Sequence, residues 1–170
     1  EGYAERLAAS QAKGRLRGIG VAAYIEAILG DPDEIARLVL DEDGGAALFV
    51  GTQSNGQGHE SVFSRMVSEA TGIPQDMVRI VEGDSDRIAK GGGTGGSRSV
   101  TVQGTATRAT VSGMLTAFEN FLTDEWGVEG VAFTDHRFGA PGTNHRLTLA
   151  EAAALARAKG RLDLIDRSEK

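Results

Sequence analysis

Apolar residues recur along this chain with two periods, and the switches between them outline a fold. From Arg17 to Leu29 the period is two. Ile19, Val21, Ala23 and Ile25 fall on one face, and Gly18, Gly20, Ala22 and Tyr24 on the other, which predicts a strand. Pro32 interrupts it. Glu34–Asp41, with Leu38 and Leu40 on one face, and Ala46–Thr52 predict two further strands, joined by the hairpin signal Asp43-Gly44. Val62, Phe63, Met66, Val67 and Ala70 then recur at helical spacing, giving a helix over His59–Thr71 that Gly72 caps and Pro74 stops. Met77–Glu82 reads as a strand again. Strand, helix and strand here form a βαβ unit, so the two strands are expected to run parallel.

Elsewhere the pattern is coarser. Gly2–Lys13 predicts a short helix stopped by Gly14, and Ser99–Trp126 a long one. A stripe of small residues on the long helix (Val102, Ala106, Ala109, Gly113, Ala117) would let it approach a sheet closely. Val128–Arg146 is irregular, with a short hairpin around Phe133 and Phe138. Thr148-Leu149-Ala150-Glu151 is a capping box that opens a last helix, ending near Lys159. Asp163–Lys170 is a charged run. The expected architecture is one α+β domain over residues 1–170, with helices packed on a mixed sheet in two layers.

Composition narrows the function. Glycine accounts for 24 of 170 residues, about twice the usual ~7% share, without a collagen period. A net charge of −6 argues against a nucleic-acid or membrane-surface module. No apolar run approaches the ~18 residues of a transmembrane helix. With no cysteine there is no disulfide, zinc knuckle, iron–sulfur ligand or thiol nucleophile, as suits a cytoplasmic protein.

The glycines concentrate in two loops, Gly56-Gln57-Gly58-His59-Glu60 and Gly91–Ser99, each between a predicted strand and a predicted helix. Glycine lets backbone N–H groups approach a ligand, and a helix N-terminus offers unpaired donors with partial positive charge. Two such loops on one rim would cradle a phosphorylated, polar cofactor. In the second, Gly95, Gly96 and Ser97 offer N–H groups, Ser97 and Ser99 hydroxyls, and Arg98 a guanidinium. A side chain at Gly96 is expected to enter the space a phosphate needs. The plainer alternative is a surface loop with a serine helix cap.

Familiar motifs fit poorly. Gly91, Gly93 and Gly96 have G-x-G-x-x-G spacing, but eight residues separate them from the preceding strand and no acidic residue follows to hold a ribose. No Gly-Lys-Ser/Thr occurs, which excludes a P-loop. His59, His136 and His145 show no metal-ligand spacing. His59 is expected in the first helical turn, bonded to backbone or cofactor. Asp84 and Asp86 are expected to shape an Asx turn, and Ser54 and Asn55 a turn ahead of the first loop.

In combination the motifs resemble the molybdopterin-binding large subunit of the xanthine dehydrogenase/aldehyde oxidase family, nearest to the aerobic carbon monoxide dehydrogenase type. The matching stretches are Arg17-Gly18-Ile19-Gly20, Ala23–Glu26, Gly51–Glu60, Gly72-Ile73-Pro74, Glu82–Asp86 and Gly93–Ser99. They keep the family order from about residue 10 to 110, and the helix over Leu147–Ala156 also fits. The resemblance implies a molybdenum hydroxylase with water as oxygen source. Its metal would be held by a pterin dithiolene, molybdopterin cytosine dinucleotide in bacterial relatives, and electrons would leave through iron–sulfur and FAD subunits. It maps pterin contacts to Gly56, Gln57 and Gly58, with His59 beside them, and contacts with the phosphate region to Gly95, Gly96, Ser97 and Ser99, with Arg98 alongside. The family's downstream general-base glutamate, its upstream glycine-rich segment and the loop that carries cysteine in copper-dependent members have no counterpart here. The resemblance therefore implies a cofactor-binding portion of a longer subunit, partnered by the rest of that subunit, and expected to be inactive and cofactor-free alone. The rival function is a phosphate- or nucleotide-binding module; a third is a scaffold whose glycine loops are structural only.

Overall fold

The computed structural model describes residues 1–30 and 33–169. Its centre is a mixed four-stranded sheet in the order β3-β2-β1-β7. Here β1 is Ala36–Leu40, β2 Ala46–Val50, β3 Val78–Val81 and β7 Asp166–Glu169. The hairpin β1–β2 pairs antiparallel, Leu38 opposite Leu48, while β2 and β3 run parallel as the βαβ pattern requires. Helix α2 (His59–Thr71) makes that crossover, and Gly72 closes it at φ 77°, a left-handed cap that only glycine takes cheaply.

All five residues of β2 are buried, so both faces of the central strand are covered. Ala46, Leu48 and Val50 join Leu38 of β1 in the main core, with Phe63 and Val67 of α2 and Met114, Phe118 and Leu122 of α3 (Gly104–Trp126). Ala47 and Phe49 face the other way, into a small cluster with Val81, Val39 and Ile88. The guanidinium groups of Arg37 and Arg87 lie 5.1 and 4.9 Å from the Phe49 ring, closing that side with cation–π contacts.

Helix α3 opens with a π-helical stretch, Ser99–Gln103, where the sequence pattern gave α-helix throughout. The inserted turn aims Gln103 into the core. Its side chain is fully buried, accepts from the Gly51 N–H (2.8 Å) and donates to the Ile35 carbonyl (3.0 Å). The helix therefore packs through Gln103, Thr107, Thr110 and Met114 rather than through the small-residue stripe. Ala106 of that stripe is buried, but Gly113 faces the Arg167 and Glu169 side chains of β7.

The remaining elements are satellites. Helix α1 spans Tyr3–Gln11. A small sheet, β4 (Ala132–Thr134), β5 (Arg137–Gly139) and β6 (Arg146–Leu147), contains the expected hairpin with Phe133 opposite Phe138. Its two-residue turn, Asp135-His136, holds both residues at positive φ, as a type I′ hairpin demands. Helix α4 (Leu149–Ala158) starts at the full Thr148/Glu151 capping box.

One strand was not expected and one expected strand is absent. The C-terminal charged run contains β7, which pairs antiparallel with β1 and is pinned by the bidentate Arg37–Asp166 pair (2.7 and 2.6 Å). The strand expected over Arg17–Leu29 does not form, because no strand among the described residues pairs with it. Its apolar side chains stand in solvent: Leu16, Val21 and Ile25 are more than 90% exposed. Pro32, expected to end that strand, lies outside the described residues. No helix among the described residues is long and apolar enough to cross a membrane.

Candidate functional site

The two glycine loops leave the same end of the sheet and meet. Gly51, just after β2, and Gly91 lie backbone against backbone. A β-carbon on either would run into the other's Cα, so only glycine permits the crossing. The Gly93 N–H donates to the Gly51 carbonyl (3.1 Å). One residue further out, Thr94 Oγ1 accepts from the Gln53 N–H (2.9 Å) and donates to the Gln53 carbonyl (2.5 Å). Glu34, 3% exposed, accepts the Gly92 N–H through Oε2 (3.1 Å) and rests its other oxygen, without a hydrogen-bond partner among the described residues, near Gly51.

Beyond this crossing the loops diverge around one cavity of about 300 Å³. Gln57, His59, Val62 and Phe63 line it from the first loop and α2, and Thr94, Gly95, Ser97, Ser99 and Val100 from the second. Both helical starts on its rim, at Gly58 and at Arg98, lack a capping side chain, so their first N–H groups are not taken up by caps. That removes the serine-cap alternative. Gly56 (φ 96°) and Gly58 (φ 84°) are left-handed and nothing lies where their side chains would project, nor at Gly93 and Gly95, of which Gly95 lines the cavity. Among the described residues, the Ser97 and Ser99 hydroxyls make no hydrogen bond. The hollow thus combines the Ser97 and Ser99 hydroxyls and the Gln57 amide with apolar surface from Val62, Phe63 and Val100, a mixture usual in small-molecule sites.

Two second-loop residues sit otherwise than expected. The space beside Gly96 is filled by the Leu29 side chain, whose backbone N–H also donates to the Gly96 carbonyl (3.0 Å). A side chain at 96 would therefore displace Leu29, not a phosphate. The Arg98 guanidinium turns back on its own loop, donating to the carbonyls of Gly92 and Gly93 (3.2 Å to the latter). It shapes the loop from within.

His59 lies in the first turn of α2 and is 3% exposed. Against expectation its ring bonds no backbone group among the described residues: Nδ1 is 3.4 Å from Glu82 Oε2 and Nε2 is 3.0 Å from Gln57 Nε2. Its ring packs against Phe63 at 5.3 Å. His136 and His145 do not line the cavity. One approaches the Glu69 carbonyl (3.1 Å), and the other stacks on Trp126 (4.7 Å). No cluster of three potential metal ligands occurs among the described residues. Asp84 accepts the Asp86 N–H (3.1 Å) as an Asx turn, and Ser54 Oγ accepts the Gly56 N–H (3.3 Å), so both stretches are turns as expected.

Glu82, Thr94, Gln103 and Glu34 hold this site together and carried no assigned role in the sequence pattern. Glu82 was visible only as the end of a predicted strand and the start of the Glu82–Asp86 stretch. The others act through long-range contacts that leave no local signature.

A site of this form, on this order of elements, has known counterparts. Residues 1–167 match the molybdopterin cofactor-binding domain family over nearly the whole chain. The chain belongs to that family. The carbon monoxide dehydrogenase large chain of Afipia carboxidovorans is 32% identical over 103 residues, which is 54% of this chain and 13% of that one. The 6-hydroxypseudooxynicotine dehydrogenase complex subunit gamma of Paenarthrobacter nicotinovorans is 26% identical over 146 residues, 85% of this chain and 18% of that one. Among solved structures, a Cu,Mo-CO dehydrogenase in its carbon monoxide reduced state superposes with a TM-score of 0.78 at 25% identity, covering 99% of this chain and 24% of the other. The chain is thus homologous to large subunits of molybdenum-dependent oxidoreductases, and spans less than a fifth of the curated relatives' length.

Proposed function

We propose that this chain is the molybdenum-cofactor-binding portion of a molybdenum hydroxylase large subunit, with the two glycine loops as its cofactor contacts. Gly56, Gln57, Gly58 and His59 would meet the pterin. Gly95, Gly96, Ser97 and Ser99 would meet the phosphate region through N–H and hydroxyl groups, while Arg98 holds that loop in shape. When bound, the cofactor supplies redox chemistry at a dithiolene-held molybdenum. What this chain supplies is donors, orientation and one wall of the pocket. The observation that carries the proposal is the single cavity lined by both loops, each ending in an uncapped helical start.

The cavity's size supports the second half of the reading, that the chain is a piece of a longer subunit. At about 300 Å³ it stands at the small end of the ~300–1,000 Å³ of small-molecule sites, too little for a pterin dinucleotide. The exposed apolar stretch at Leu16–Leu29 supports it too: a period-two pattern without a partner is a strand awaiting its sheet. The remaining large-subunit domains would complete both, the cytosine dinucleotide form would be the cofactor, and iron–sulfur and FAD subunits would take the electrons. Alone, the chain would be inactive.

The test is molybdenum and pterin content of the full-length large subunit, with and without Ser97→Ala plus Ser99→Ala. The parent is expected to carry both, and the double variant to lose most of each without losing its fold. A folded parent devoid of pterin would end the proposal.

A further inference from the structure

The Gln57 carboxamide is held by neighbours whose hydrogen-bonding roles are fixed, and this decides its orientation. The Asn55 N–H can only donate, and it meets Gln57 Oε1. The Gln53 carbonyl can only accept, and it lies 3.5 Å from Gln57 Nε2. The amide nitrogen therefore faces His59, at 3.0 Å. A carboxamide nitrogen only donates, so His59 Nε2 must accept and carry no proton. The imidazole proton then sits on Nδ1, directed at Glu82 Oε2 3.4 Å away. Glu82, His59 and Gln57 form a chain of fixed polarity from the end of β3 into the cavity.

We propose that Glu82 and His59 are positioning residues that lock Gln57 as a hydrogen-bond donor toward the cofactor. One Gln57 N–H is spent on His59. The other has only the long contact to Gln53 and is left for an oxygen of the guest. With Glu82 removed, the Nδ1 proton loses its acceptor and only the Gln57 amide, held by Asn55 and Gln53, still favours the Nδ1–H tautomer. A proton on Nε2 would oppose the Gln57 amide donor to donor, and the carboxamide would turn. His59 is buried, so water cannot readily replace the lost bond there. The role rests on the cofactor-binding reading, but its first test does not.

That test is imidazole nitrogen NMR on the 170-residue chain, near pH 8, where an ordinary histidine is neutral. Wild type is expected to show a pyridine-type Nε2 and a pyrrole-type Nδ1. Glu82→Ala should shift His59 toward the Nε2–H form and move the Gln57 side-chain amide resonances. Glu82→Gln, which keeps an accepting oxygen, should hold both near wild type. An Nε2–H imidazole in wild type, or Gln57 signals indifferent to Glu82→Ala, would overturn the inference and leave the cofactor reading standing. In the full-length subunit, Glu82→Ala is expected to lower pterin retention by about ten-fold or more, as loss of an orienting outer partner does at metal sites, with Glu82→Gln largely restoring it. Retention unchanged in Glu82→Ala would overturn the positioning role. Wild-type subunit without pterin, but with the Nδ1–H tautomer, would sink the cofactor reading alone.

Discussion

The two glycine clusters use the same residue for opposite ends. At the crossing, Gly51 and Gly91 are packed so tightly that a methyl group has nowhere to go. A few residues outward, Gly56, Gly58, Gly93 and Gly95 have nothing within 4 Å of where a side chain would stand, and on the proposed function that room belongs to the cofactor. The first pair belongs to the fold and the second set to the site. Their separation means that the cradle is held from behind, by the crossing and by Gln103, while the Glu82–His59–Gln57 chain orders its lining. Substitutions should therefore divide cleanly into those that unfold the domain and those that spare it.

The largest effect is expected at the crossing. Gly91→Ala drives a β-carbon into the Gly51 backbone, with no flexible side chain to yield. Overpacking of this kind costs about 3 kcal/mol, or roughly 6–12 °C of melting temperature in a domain this size. A thermal scan that moved by less than about 2 °C would break the division. Next comes Gln103→Leu, which strands the Gly51 N–H and the Ile35 carbonyl in the interior. Leaving buried groups unpaired costs about 2 kcal/mol, and the loss should be accompanied by faster exchange of the Gly51 amide.

How much of this was legible depended on whether a feature is local. The α2 helix was read to the residue, because its apolar period and the Gly72-Ile73-Pro74 stop are contiguous in sequence. The parallel β2–β3 pair followed from order alone. The hidden strand β7 was not legible, since Asp166–Glu169 is polar on both faces and earns its place through Arg37, 129 residues away. The π-helical start of α3 has no residue pattern of its own and is fixed by where Gln103 must reach. Arg17–Leu29 shows the converse: its alternating pattern calls for a strand, and none forms because no pairing partner lies beside it among the described residues. For the site, the sequence marked the two loops and their meeting. It could not say which glycines pack and which face the cavity, nor that Leu29 covers Gly96.

A smaller effect is expected on the open side. At Gly58→Ala the new methyl group meets nothing, so the only penalty is a left-handed backbone at φ 84°, about 1 kcal/mol. Melting temperature should fall by roughly 2–4 °C, well short of Gly91→Ala, while pterin content of the full-length subunit is expected to fall sharply because Gly58 sits between the cavity-lining Gln57 and His59. Equal losses of stability in the two variants would erase the distinction between packed and open glycines.

The smallest effect lies at the sheet edge and serves as the control. The Arg37 guanidinium, through its hydrogen bonds, holds the Asp166 carboxyl below the ordinary carboxylate range. A depressed carboxyl contributes stability that is fully present above its unfolded value and is lost as pH falls through its folded one. The window is therefore the acid side of about pH 4. Both partners are about 40% exposed, which limits the pair to under ~1 kcal/mol. Amide exchange followed from pH 5 to pH 3 should show β7 loosening while the Gly51 and Gly93 amides at the crossing keep their protection, and Asp166→Asn should loosen β7 equally at pH 7. Simultaneous loss of protection at the strand and the crossing would mean that the cradle leans on the whole sheet, and that the two glycine sets are not mechanically separate.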